Sequence, residues 1–131
     1  MAAKKQTLST SILDAVLNNV SYANPNNFCS LYTAAPTATV DGTEVSTSGT
    51  AYARVSASFG AASAGSCSND SAITFAVATA SWGTVTHAAV CAAGTAGVFD
   101  ILYFGALGTP KTVGIGDQLN FAIGALTVTE S

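Results

Sequence analysis

AYARVSASF, residues Ala51–Phe59, alternates one residue at a time: Tyr52, Arg54, Ser56 and Ser58 against Ala53, Val55, Ala57 and Phe59. A period of two marks an extended strand, whose side chains point to opposite faces in turn. Downstream, Gly60 to Asp70 is a small-residue loop. Ile73 and Phe75 open another extended run, and Val85 to Ala92 and Val98 to Phe104 are two more. Gly105 to Gly108 is expected to bend the chain, and Thr109 to Val113, Gln118 to Phe121 and Ala125 to Thr129 complete it. Upstream, Phe28 to Thr33 is a strand closed by Pro36, and the polar stretch Thr37 to Gly49 carries an Asp41-Gly42 turn. The sum is about eight short strands separated by Gly, Asp or Pro turns, which favours antiparallel connections. A mainly β fold follows: an antiparallel β-sandwich of jelly-roll or Ig-like kind, with a small barrel as the runner-up. A parallel α/β sheet needs crossover helices, and none lies between the later strands.

One helix precedes the strands. Ile12, Leu13, Val16, Leu17 and Val20 recur at helical spacing, Ser11 and Asp14 resemble a capping box, and Asn24-Pro25-Asn26 closes the segment. The expected organisation is a flexible arm over residues 1–9 and one domain over residues 10–131 that includes a helix at 10–20. The apolar stripe of that helix must pack on its own domain or on a neighbouring subunit.

Composition narrows the function. Only 8% of the 131 residues are charged, against roughly 25% in an ordinary globular chain. Ala, Gly, Ser and Thr take the place of charge. Such a surface suits a shell, coat or adhesin protein whose faces are covered by neighbours better than a freely diffusing enzyme. The net charge is −3 and no basic cluster exists, so nucleic acid is not an expected partner. No membrane span and no secretory leader are expected, because Ser9, Ser11, Asp14, Asn18 and Asn19 interrupt the apolar run behind Lys4 and Lys5.

Residues with chemical potential do not assemble into a catalytic or metal motif. Cys29, Cys67 and Cys91 are odd in number and spaced unlike a redox pair or zinc knuckle. Cys29 and Cys91 lie in apolar runs and read as buried thiols, with one disulfide as the alternative, and Cys67 lies in a Gly/Ser loop open to solvent. His87 is the sole histidine, which rules out a histidine-rich metal site, and no nucleophile elbow accompanies it. Asp100 interrupts an apolar strand and is expected to point outward. Asp117, in Gly114-Ile115-Gly116-Asp117, is turn chemistry. Trp82 is a core or interface residue, or else a platform for a sugar. No catalytic, cofactor-binding or metal-binding residue is assigned.

Several blocks carry a resemblance. They are Leu31-Tyr32-Thr33-Ala34-Ala35-Pro36-Thr37, Gly42-Thr43-Glu44-Val45-Ser46, Tyr52-Ala53-Arg54, Phe59-Gly60-Ala61-Ala62, and Ser81-Trp82-Gly83-Thr84-Val85-Thr86-His87. They continue with Phe104-Gly105-Ala106-Leu107, Pro110-Lys111-Thr112-Val113, Gly116-Asp117 and Gly124-Ala125-Leu126-Thr127-Val128-Thr129. In this order the chain resembles a group of small tailed-phage virion proteins, labelled tail-fibre-like and similar to capsid cement or decoration proteins. The resemblance implies a β-sandwich virion component without chemistry of its own. In it Tyr52, Arg54, the Trp82-to-His87 strand and Gly116-Asp117 are framework. Cys29, Cys91 and the loosened stretch Ala92 to Gly97 depart from the pattern.

The expected function is a capsid decoration or cement protein on the outer shell of the virion, assembled in the host cytoplasm. It would bridge subunits of the major capsid protein and associate with copies of itself as a dimer or trimer. The alternative is a tail-fibre or baseplate component that contacts host glycans.

Overall fold

A computed structural model describes residues 3–23, 26–97 and 100–130. In chain order the elements are β1 (Ala3–Lys4), α1 (Gln6–Leu17), β2 (Phe28–Ala34), β3 (Thr43–Glu44), β4 (Val55–Ser56), β5 (Ser66–Ser68), β6 (Ile73–Thr74), β7 (Gly83–Cys91), β8 (Ile101–Val113), β9 (Asn120–Phe121) and β10 (Thr127–Thr129). The three long apolar runs, β2, β7 and β8, form the centre of one antiparallel sheet in the order β1-β8-β7-β2-β3, with β4 also pairing with β2. Two ribbons, β5 with β10 and β6 with β9, make up the rest.

The ribbons form a second layer. Leu31, Val85, Ala88 and Val90 of the main sheet share one core with Ile73, Phe75, Leu119, Leu126 and Val128 from the ribbons and their flanks. The fold is mainly β and antiparallel with one N-terminal helix, as the strand and turn spacing predicts, and its layers are sandwich-like. Phe75, Leu31 and Ile73 are fully buried, and each such side chain contributes about 1.5–3 kcal/mol through burial. Tyr52, Phe75 and Trp82 pack as an aromatic trio, with Trp82 edge-on to the other two.

Strand alternation decides the fate of the cysteines. Cys29 pairs in register with Val90, and Phe28 with Cys91. Cys29 therefore faces the main core while Cys91 faces the opposite side, with Tyr32, Ala89, Ile101 and Phe104. The two thiols sit on opposite faces of one sheet, and all three cysteines are free. The buried-thiol reading holds for both. Cys67 departs from the expected open loop: it lies in β5, half-buried and paired with Val128 of β10. A thiol reagent should label no more than one cysteine in the native protein and three in denaturant; fast native labelling of two or three would contradict this packing.

Four sequence expectations change. The helix starts at Gln6, not at Thr10, and ends at Leu17. Ser9, Thr10 and Ser11 donate their hydroxyls to the carbonyls of Lys5, Gln6 and Thr7 one turn back. These hydroxyls are satisfied inside the helix instead of capping it, and Ser11 forms no capping box. The arm over residues 1–9 is likewise built into the structure from residue 3. β1 pairs with β8, Lys5 forms an ion pair with Asp41 at 2.8 Å, and Lys4 and Tyr103 both bond Glu130. The bend expected at Gly105 to Gly108 is a strand that continues to Val113. Pairing shifts between Val85↔Lys111 and His87↔Ala106, so that Leu107 to Pro110 bulge opposite Thr86. Pro110 has no N–H to give a ladder and is tolerated in such a bulge. Finally, the strand expected from Val98 begins at Ile101; Val98 and Phe99 lie outside the described residues. Among the described residues the count is ten strands, five of them two residues long, because loops replace much of the expected pairing in the second layer.

Asn69 holds that second layer together. Its side chain is buried, accepts the Leu126 N–H at 2.9 Å, and donates to the carbonyls of Ser71 at 2.8 Å and Ala122 at 2.9 Å. Its backbone bonds Leu126 and Gly124 as well. Removing the amide strands three backbone groups, each worth about 1–3 kcal/mol when buried and unpaired. Asn69→Ala should lower stability by about 3 kcal/mol, read as a fall in the urea midpoint at unchanged slope.

Candidate functional site

The alternation of Ala51–Phe59 is real but reverses midway. Tyr52 and Arg54 point inward, and beyond them the inward positions are Val55, Ala57 and Phe59, with Ser56 and Ser58 outside. The polar half of the pattern therefore carries a buried arginine. Arg54 forks onto Glu44, Nε to Oε2 and Nη2 to Oε1, both at 2.9 Å. Its Nη1 donates to Asp100 Oδ1 at 2.8 Å and to the Ala93 carbonyl at 2.9 Å. The guanidinium side chain is 1% exposed. Tyr52 donates its hydroxyl to Glu44 at 2.6 Å and accepts the backbone N–H of Leu31 at 3.0 Å. Gly97 N–H completes the shell around Glu44 at 2.9 Å.

Asp100 is thus not a solvent-facing residue. It is drawn in by Arg54 across 46 residues of sequence, a pairing that strand alternation alone cannot reveal. Its second oxygen is buried without a hydrogen-bond partner among the described residues.

Burial by itself would raise the Glu44 pKa. The hydrogen bonds from Arg54, Tyr52 and Gly97 outweigh it, and the carboxyl lies below its ordinary value. Burial and the bond to Glu44 push the Tyr52 phenol up. Burial likewise pushes up the Cys29 and Cys91 thiols. Ser30 bonds both Cys91, at 3.0 Å, and Tyr32, at 3.2 Å, inside the sheet. Protonated, enclosed thiols are poor nucleophiles.

The other sequence candidates fall in separate places. His87 is half-buried in mid-sheet and bonds the neighbouring Thr86 hydroxyl at 2.8 Å. Asp117 closes its turn by accepting the Gly114 N–H at 2.9 Å, with Gly116 at φ +86°. Trp82 is 4% exposed and donates its indole N–H to the Thr50 carbonyl at 2.8 Å, so it is core and offers no platform to a sugar. Among the described residues, no group of three or more His, Cys, Asp or Glu side chains is placed to hold a metal ion. An open groove of about 420 Å³ runs past Tyr32, Asp41, Glu44, Gly97 and Ile101. Both oxygens of its Glu44 are already bonded, so the groove presents no spare buried charge.

The unsatisfied surface of the domain is apolar and lies elsewhere. α1 buries Leu8 but exposes Leu13, Val16 and Leu17, and Val20 just beyond it. Asn19, at φ +55°, ends the helix, and the N–H groups of Asn18 and Val20 both return to the Asp14 carbonyl. Of the expected stripe Ile12 is half-buried, while Leu13, Val16, Leu17 and Val20 are left uncovered by the domain. No helix is long and apolar enough to cross a membrane.

Glu44 generates a pH dependence. A carboxyl whose folded pKa is depressed stabilises the fold above its unfolded value and loses that contribution as pH falls through the folded value. Stability should therefore drop below about pH 4.5. Glu44→Gln should lose about 3 kcal/mol at pH 7, because Arg54 keeps its burial and loses a charge partner, and should show a shallower fall between pH 5 and pH 3. Urea titrations across that range measure both; a variant with the parent's acid slope would remove Glu44 from this role.

Comparison with known proteins closes the description of these residues. The chain matches none of the curated proteins. It does match a family described as Podophage GP4 fiber I protein gp80, over residues 3–129. That span takes in the Arg54 lock, α1 and every strand, and the resemblance to tail-fibre-like phage proteins is borne out. The chain belongs to the Podophage GP4 fiber I protein gp80 family and is a phage virion protein.

Proposed function

We propose that the chain is a non-enzymatic structural subunit of a virion fibre, held by apposition to other virion protein. The observation that carries this reading is the family match over almost the whole chain, whose description is of a fibre protein. Three features support it. The buried charges Arg54, Glu44 and Asp100 bond one another, and Lys5 bonds Asp41, contacts that hold the fold instead of presenting these groups to a substrate. Three of the four cations are engaged in ion pairs, Lys4 with Glu130, Lys5 with Asp41, and Arg54 with Glu44 and Asp100. The surface is left nearly without charge, which suits permanent contact with other subunits. Apolar side chains stand out at Val40, Ile115, Ile123 and the helix stripe.

A second reading keeps the domain on the head, where it would decorate the outer capsid shell and bridge major capsid subunits. One observation favours it: the longest elements among the described residues are a 12-residue helix and a 13-residue strand. Neither element, among the described residues, is long enough to make a fibre shaft.

A cryo-electron microscopy map of the intact particle tests the proposal. Density for this sandwich at the tail is the expected result. Density confined to the capsid shell selects the second reading, and a particle lacking the protein, or a purified protein that degrades cell-wall glycan, overturns the proposal.

A further inference from the structure

We infer that residues 3–17, the strand β1 with the helix α1, form a strap that opens as one unit while the sandwich stays folded, and that its closed position seals the edge of β8. Neither hydrophobic cluster contains a residue of this segment. Its apolar anchor is Leu8, the buried residue of α1. Asn18 to Ala23, which follow, are exposed, and Asn19 is left-handed at φ +55° where the helix stops. The segment can leave without opening either cluster, which is the condition for an opening well below the free energy of global unfolding.

The contacts that close the strap are mainly polar. β1 pairs Ala3 with Phe104 and Lys4 with Tyr103. The Lys5 N–H then bonds the Leu102 carbonyl at 3.0 Å, and the Gln6 N–H bonds the Ala38 carbonyl at 2.9 Å. Lys4 pairs with Glu130, which also accepts the Tyr103 hydroxyl. Lys5, with a side chain 9% exposed, pairs with Asp41 at 2.8 Å. Two adjacent lysines, in a chain with four cations, thus fasten the segment at two separate places, the C-terminal end of the chain and the loop before β3. α1 depends on that latch. A helix of 12 residues is marginal in water by itself. This one has no acidic residue in its first turn, no basic residue in its last and no side-chain cap from Lys5. Once detached it melts, so β1 and α1 open together.

The closed strap has a consequence for the sheet. An unpaired strand edge is a template for pairing with another chain. From Leu107 to Lys111 the edge of β8 carries a bulge, a proline and a lysine, features that resist such pairing. From Leu102 to Phe104 it carries none of them, and β1 and Lys5 cover it instead. The two-lysine latch therefore keeps the least protected stretch of this edge shut.

Amide exchange of the full-length protein, followed residue by residue by NMR, tests the strap. The amides of Lys5, Gln6 and Ser9 to Leu17 should share one protection factor, about a hundredfold or more below that at the centres of β2 and β7. Lys4→Gln with Lys5→Gln should lower it about tenfold across the segment and leave β2 and β7 unchanged. Asp41→Asn with Glu130→Gln cuts the same pairs from the other side and should do the same. These two double variants move the net charge in opposite directions, so an effect they share comes from the lost pairs. Both should also sediment as larger species than the parent, through the bared edge. Helix amides as protected as the sheet centres overturn the inference, because the segment then opens only with the whole fold. Lys5 and Gln6 amides that stay protected while Ser9 to Leu17 exchange also overturn it, because the helix then frays alone. Variants that keep the parent's protection remove the latch, and variants that open the strap but sediment as the parent does remove the seal.

Discussion

The forked ion pair between Arg54 and Glu44 is the constraint on which the loops of this protein depend. A guanidinium buried to 1% exposure is costly to desolvate. It is retained here because every side of it meets a partner. Glu44 comes from the two-residue strand β3, Asp100 from the entry to β8, and the Ala93 carbonyl from the loop after β7. Tyr52 then links the same carboxylate to the backbone of β2. Segments with little pairing of their own are held at one point. β3 has two residues and a shifted register with β2, and its position is fixed more by Glu44 than by its ladder. An apolar substitute for Arg54 would leave two carboxylates facing each other in the interior, so the pair is worth more for the arrangement it imposes than for its net stability.

That arrangement explains which parts of the fold are legible in the sequence. Period-two alternation and turn residues identify β2, β7 and the turn at Gly114 to Asp117, because each depends on neighbours within a few residues. The helix stripe is legible for the same reason. Asp100 stands out in the sequence as a charge in an apolar run, and Arg54 as a member of the polar half of an alternating strand. Their pairing does not stand out, since nothing local distinguishes a charge that turns to solvent from one that meets an opposite charge 46 residues away. The short strand β3 escapes sequence reading because tertiary hydrogen bonds, not strand propensity, define it, while β4, β6 and β9 fall inside predicted runs that pair over only two residues each. Ser9 to Ser11 misplace the helix start because hydroxyls serve equally at a cap and inside a first turn.

The candidate site divides along the same line. The exposed aliphatic side chains of α1 are encoded locally, and their spacing is plain in the sequence. What the sequence leaves open is the side on which the stripe falls once the domain has formed. The main sheet already has its ribbons on one face, and the Tyr32, Cys91, Ile101 and Phe104 cluster lies on the other. The interior is therefore satisfied without Leu13, Val16, Leu17 or Val20, and the helix carries more apolar surface than its own fold consumes.

Low charge and an unspent apolar stripe have a common physical consequence. A domain with net charge −3 and most of its cations paired has little electrostatic repulsion to keep copies apart. Uncontrolled, such a surface would aggregate through whichever strand edge or patch met first. The bulge, Pro110 and Lys111 blunt the long edge of β8, and the remaining exposed aliphatics at Val40, Val77, Ile115 and Ile123 are separated along the chain at loop positions. Only the helix presents several aliphatic side chains in one line. Such a surface does little to repel a neighbouring protein at that helix, which is the physical basis for reading the domain as one part of a larger particle.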